Sequence, residues 1–64
     1  MANIADIAEA LAAESRLAQK YESLQEIAIN EDFKKDLGEL LKLSVQQMKI
    51  LRNIIKEGPW LEND

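Results

Sequence analysis

Apolar residues recur three and four positions apart along two long stretches of the chain, and this spacing places them on one face of an α-helix. The stripe of the first stretch is Ile4, Ile7, Leu11, Ala18, Tyr21 and Ala28, with the polar residues Glu14 and Gln25 in line. The stripe of the second stretch is Phe33, Leu37, Leu40, Leu51 and Ile54, interrupted by Ser44 and Gln47. The pattern predicts two long amphipathic helices.

The break between the two stretches lies around Asn30, which is suited to cap a new helix, and Glu31 and Asp32 then supply first-turn carboxylates. Gly58 and Pro59 end the second pattern. We therefore expect one all-α domain over residues 1–64, with helices at about 4–28 and 33–56 and a short tail at 58–64. Helices joined by so few residues fold back on each other, which predicts an antiparallel two-helix hairpin.

Each helix carries a second group of apolar residues that one hairpin cannot cover. Two hairpins that pair about a two-fold axis bury both groups in a four-helix bundle, so we expect a homodimer. The predicted dimer interface is Leu17, Leu24, Leu41, Val45, Met48 and Ile55. Trp60, the only tryptophan, is a candidate anchor for a partner groove, with cover for the open end of the same bundle as the alternative.

The amino-acid composition excludes several kinds of catalytic and metal-binding site. The 64 residues include no cysteine and no histidine, which excludes disulfides, thiolate metal sites and Cys-His or Ser-His-Asp catalysis. The net charge of −4 disfavours nucleic acid and anionic membranes as partners. Lysines do recur every seven residues, at Lys35, Lys42, Lys49 and Lys56, but we interpret this stripe as a solvated face. No basic leader or long apolar run is present near Met1, so we expect a cytoplasmic protein.

One polar constellation follows from spacing. Glu14 lies 16 residues before Asn30, and Ser44 and Gln47 lie 14 and 17 residues after it. All three are therefore expected at one height in the hairpin and facing inward. A buried carboxylate binds a cation or finds hydrogen-bond donors. The hydroxyl and amide opposite Glu14 are good donors and poor metal ligands, so we favour a hydrogen-bonded layer that fixes register.

Residues 14–51 resemble the hairpin of rubrerythrin-like proteins in the ferritin-like superfamily. The similarity includes Glu14, Tyr21 seven residues later, and an acidic break followed by Lys34 and Lys35. In that family a Glu-x-x-His pair follows on the second helix and completes a di-metal site. The corresponding positions here are Ser44 and Gln47, so the resemblance implies the fold with its metal ligands lost.

The chain is also similar to spore coat protein F-like hairpins, which end in Gly-Trp, as the sequence Gly58-Pro59-Trp60 nearly does. That resemblance implies a structural coat component. We expect a non-catalytic structural or adaptor protein, without cofactor, that acts by self-association, with another protein as a second candidate partner. The alternatives are a weak metal-binding remnant that joins Glu14 residues of two subunits, and a regulatory module that binds a partner helix.

Overall fold

A computed structural model describes residues 4–57, which form two α-helices joined by a three-residue connection. Helix α1 spans Ile4–Ile27 and helix α2 spans Glu31–Glu57. The predicted tail at 58–64, including the candidate anchor Trp60, lies outside the described residues. No helix in the described part of the chain is both long enough and apolar enough to cross a membrane.

The connection is held by hydrogen bonds at the two facing helix ends. The Asn30 side chain accepts a bond from the Phe33 amide, with Oδ1 and N 2.9 Å apart, and so acts as the predicted N-cap of α2. The Asn30 carbonyl also accepts the Lys34 amide at 3.0 Å. At the end of α1 the Ala28 amide donates to the Leu24 carbonyl at 3.0 Å. Because Asn30 caps so close to the end of α1, the chain reverses within a single turn.

The two helices pack against each other in antiparallel order, which confirms the all-helical hairpin for the described residues. Glu14 in the middle of α1 contacts Ser44 in the middle of α2, whereas Gln25 near the end of α1 contacts Lys34 near the start of α2. A step forward along one helix is therefore matched by a step backward along the other. This contact between α1 and α2 is the seam of the hairpin.

Few side chains are buried in the seam. Those that are less than a tenth exposed are Ala18, Leu37, Ser44 and Met48. Two of the four, Ala18 and Ser44, are small, which lets the helix backbones approach each other. Half-buried residues extend the seam toward the open end, where Leu11 of α1 and Leu51 of α2 lie, and toward the turn, where Tyr21 lies. Within residues 4–57, three buried apolar side chains make a thin core for two helices of this length.

The orientation of α2 in the seam differs from the predicted one. Leu37, Ser44 and Leu51 face α1 as expected. Residues seven positions apart form a column along the helix, and the column that lies beside them in the seam is Leu41, Met48 and Ile55. The predicted column of Phe33, Leu40, Gln47 and Ile54 lies to the outer side, with Phe33 53% and Leu40 42% exposed and Ile54 still half-buried. Both columns flank the same central residues and both are largely apolar, so the spacing alone did not distinguish them.

This rotation corrects the predicted dimer interface. Met48 is only 9% exposed because it packs in the seam, and Leu41 and Ile55 are half-buried beside it. Met48 therefore contributes to the fold of one chain, and Leu41 and Ile55 are partly covered by the same seam.

Candidate interaction surface

One open side of the hairpin carries large apolar side chains from both helices. Helical geometry places Leu17 and Leu24 one column outside the seam on α1, and Leu40 one column outside it on α2. In an antiparallel pair these two outer columns lie on the same side of the hairpin. A shallow groove shows this directly, because it is lined jointly by Ala10 and Glu14 of α1 and by Gln47, Ile50 and Leu51 of α2.

We call this surface the apolar face. Its large residues include Leu17, Leu24, Phe33, Leu40, Leu43 and Ile50, with exposed fractions of 41, 40, 53, 42, 50 and 58%. They exceed in number the three apolar residues buried in the seam. A contiguous exposed surface of this kind is typical of an interaction site, since single scattered apolar residues are the usual pattern elsewhere.

The opposite side of the hairpin, the lysine face, is charged. Its residues on α2 are Lys35, Lys42, Lys49, Lys56 and Arg52, and those on α1 include Gln19, Glu22 and Glu26. All of them are exposed. Val45, 47% exposed, is the large apolar residue on this side. The predicted assignment of the lysine stripe to a solvated face therefore agrees with its position, opposite the apolar face.

A polar contact crosses the seam at its centre. The Ser44 hydroxyl, with Ser44 only 2% exposed, donates to Glu14 Oε2 at 2.5 Å. Glu14 is half-buried, because it lies where the seam opens onto the apolar face. The third predicted member of this layer, Gln47, is exposed and makes no hydrogen bond with Glu14. It lies on the apolar face, beside Glu14 in the groove that both residues line.

A second polar contact crosses the seam near the turn. Gln25 Nε2 donates to the backbone carbonyl of Lys34 at 3.2 Å. Gly38 makes room for it, since a Cβ on Gly38 would lie 2.9 Å from Gln25 Nε2. This contact borders the lysine face, where Gln25 and Lys35 line another shallow groove. It explains a glycine in the interior of a helix, where glycine ordinarily lowers stability.

The arrangement offers little metal-binding chemistry. No cluster of three or more histidine, cysteine, aspartate or glutamate side chains that could hold a metal ion occurs within residues 4–57. Glu14 is the one carboxylate in the central layer, and the Ser44 hydroxyl already donates to it. The surface is suited instead to burial against another apolar surface.

The predicted site residues are thus divided among different places. Leu17 and Leu24 lie on the apolar face, Val45 lies on the lysine face, and the other predicted interface residues pack in the seam. Leu43 and Ile50 belong to neither predicted stripe, yet they are among the most exposed apolar residues of α2. Their spacing of seven residues, three positions after Leu40 and Gln47, is the signal that would have identified them.

No family model, curated protein or solved structure matches the chain. The resemblances to rubrerythrin-like and coat protein F-like hairpins therefore stay predictions. The fold and its exposed surfaces carry the functional interpretation.

Proposed function

We propose that this protein is a non-catalytic structural or adaptor protein that acts through self-association, and that the apolar face is its contact surface. One observation carries the proposal: six large apolar side chains lie exposed on one side of a hairpin whose seam buries only three. Burial of apolar surface is the main favourable term in folding and association. A hairpin with so thin a core gains much of its stability from whatever covers this face.

A second copy of the chain is the occupant that the surface supports best. The apolar face runs along both helices, so it presents two parallel ridges of side chains. Two such faces pack into a four-helix bundle, in which every helix gains a second neighbour. The lysine faces then point outward on both sides, where their charges stay hydrated.

Sedimentation equilibrium at micromolar concentration tests the proposal directly. We expect the wild-type chain to sediment as a dimer and to lose helical circular dichroism on dilution, because assembly and folding are linked. A monomer that keeps its full helicity would overturn self-association. It would favour instead a module whose apolar face accepts a helix of another protein.

A matched pair of variants identifies the face. Leu43 and Val45 are 50 and 47% exposed but lie on opposite sides of α2. Leu43→Lys buries a charge in the proposed contact and is expected to weaken dimerisation at least 100-fold, about 3 kcal/mol. Val45→Lys adds the same charge to the lysine face and should leave the dimer intact. Equal effects of the two variants would exclude the apolar face as the contact surface.

A further inference from the structure

We propose that the two copies pack with their turns at the same end of the bundle, and that Gln47 of each copy completes the hydrogen bonding of Glu14 in the other. This inference rests on the proposed self-association and specifies its geometry. It makes the Glu14 layer a shared feature of the dimer, with one residue of the layer contributed by the partner subunit.

Two symmetric arrangements can bury the apolar face. When the two-fold axis runs along the bundle, the turns lie at the same end and α1 of one copy packs on α2 of the other at the same height. When the axis runs across the bundle, the turns lie at opposite ends and each helix packs on its own counterpart in antiparallel order. The polar residues on and beside the apolar face distinguish the two arrangements, because each arrangement places these residues opposite different residues of the second copy.

The central layer favours turns at the same end. Glu14, Ser44 and Gln47 are close in height, as the Glu14–Ser44 hydrogen bond and the shared groove show. With helices of the two copies paired at equal height, Gln47 of the partner subunit lies within about two residues, roughly 3 Å, of the level of Glu14. The Ser44 hydroxyl already donates a hydrogen bond to Glu14 Oε2. The exposed Gln47 amide can therefore supply a donor to the second carboxylate oxygen when a partner covers it.

The opposite arrangement places the same groups poorly. An axis near the height of Glu14 sets two carboxylates against each other across the contact, which is repulsive. Moving the axis toward the turn opposes Glu14 to Leu17, and Gln47 to Leu40 or Leu43. Moving it away from the turn can pair the two Gln47 side chains, but it opposes Glu14 to Ala10. Polar groups then become buried without partners, at a cost that apolar contacts do not repay.

Two charges near the turn agree with the first arrangement. Lys20 on α1 and Asp36 on α2 lie on the outer edge of the apolar face and form no ion pair with another described residue. Pairing at equal height places Lys20 within about three residues, roughly 5 Å, of the level of Asp36 in the partner subunit. Long side chains span such an offset.

A distance measurement between the two turns tests the arrangement. The chain has no cysteine, and Ile29 in the connection is 92% exposed, so Ile29→Cys accepts a nitroxide label without disturbing the seam. Pulsed electron spin resonance of the labelled protein then reports the distance between the two copies. With turns at the same end we expect about 25 Å or less, because neighbouring helix axes in a bundle lie about 10 Å apart.

The outcomes separate the two proposals. A distance near 40 Å would overturn the inference and leave self-association standing, since the 24 residues of α1 extend about 36 Å. Absence of any dipolar signal at concentrations well above micromolar would overturn the proposed function itself.

The role of Gln47 has its own matched control in the neighbouring Gln46, which is exposed but points away from the apolar face. Gln47→Ala is expected to weaken dimerisation about tenfold, and Gln46→Ala to leave it unchanged. The effect of Gln47→Ala should disappear when Glu14 is also changed to Met. An unchanged dimerisation constant in Gln47→Ala, or an undiminished loss in the double variant, would exclude the Glu14–Gln47 contact.

Discussion

The two open faces of the hairpin belong to the same pair of helices but differ in the side chains that they expose. On the apolar face Leu40 and Leu43 are 42 and 50% exposed, whereas the lysine face shows Lys42 and Lys49 to solvent. Water is a suitable neighbour for ammonium groups and a poor one for leucine side chains. The difference teaches that one pair of helices presents two chemically opposite surfaces, and it is the basis for proposing self-association through the apolar face.

Each face also borders one polar contact across the seam. Beside the apolar face, the buried Ser44 hydroxyl donates to the Glu14 carboxylate. Beside the lysine face, the Gln25 amide donates to the backbone carbonyl of Lys34 over Gly38. The first contact involves a charged acceptor and a buried donor, and the second two neutral groups near solvent. We expect their contributions to stability to differ accordingly.

Removal of the Ser44 hydroxyl should change the free energy of unfolding more than the other two substitutions considered for the seam and the lysine face. Ser44→Ala leaves Glu14 Oε2 without its donor, and we expect the free energy of unfolding to fall by about 1–3 kcal/mol in urea titrations. Glu14→Met combined with Ser44→Ala removes both partners and should recover most of the loss. A Ser44→Ala protein as stable as wild type would mean that the hydrogen bond contributes nothing and that the central layer is only a packing feature.

A smaller effect is expected on the other side of the seam, at Gly38. Gly38→Ala raises helix propensity by about 1 kcal/mol, but its Cβ displaces the Gln25 amide and costs a similar amount. The net change in melting temperature should be close to zero. In a Gln25→Ala background the clash is absent, and the same substitution should stabilise by about 0.5–1 kcal/mol. A full gain in both backgrounds would contradict the close contact between Gln25 and Gly38.

The smallest effect should come from the lysine face itself. Lys42 is exposed and forms no ion pair with another described residue, so Lys42→Gln is expected to change stability by no more than about 0.5 kcal/mol. Sedimentation should find the proposed dimer unchanged. Dissociation of the Lys42→Gln protein would reverse the comparison, because it would show that partners meet on the charged side.

Local sequence determined where the helices lie. The spacing of apolar residues marks both helices, and Asn30 followed by Glu31 and Asp32 marks the start of the second. The short connection then leaves antiparallel packing as the available arrangement. Equal distances from the turn also place Glu14 and Ser44 together, and the structure joins them by a hydrogen bond.

Only the tertiary structure decided which side of α2 faces α1. Leu37, Ser44 and Leu51 have an apolar neighbour column on either side, so hydrophobic periodicity fits two rotations of the helix equally well. Packing against α1 selects the side of Met48 and leaves Leu40 and Gln47 outside. That choice depends on contacts between residues far apart in the chain, which no local pattern records. It is also the choice that creates the apolar face.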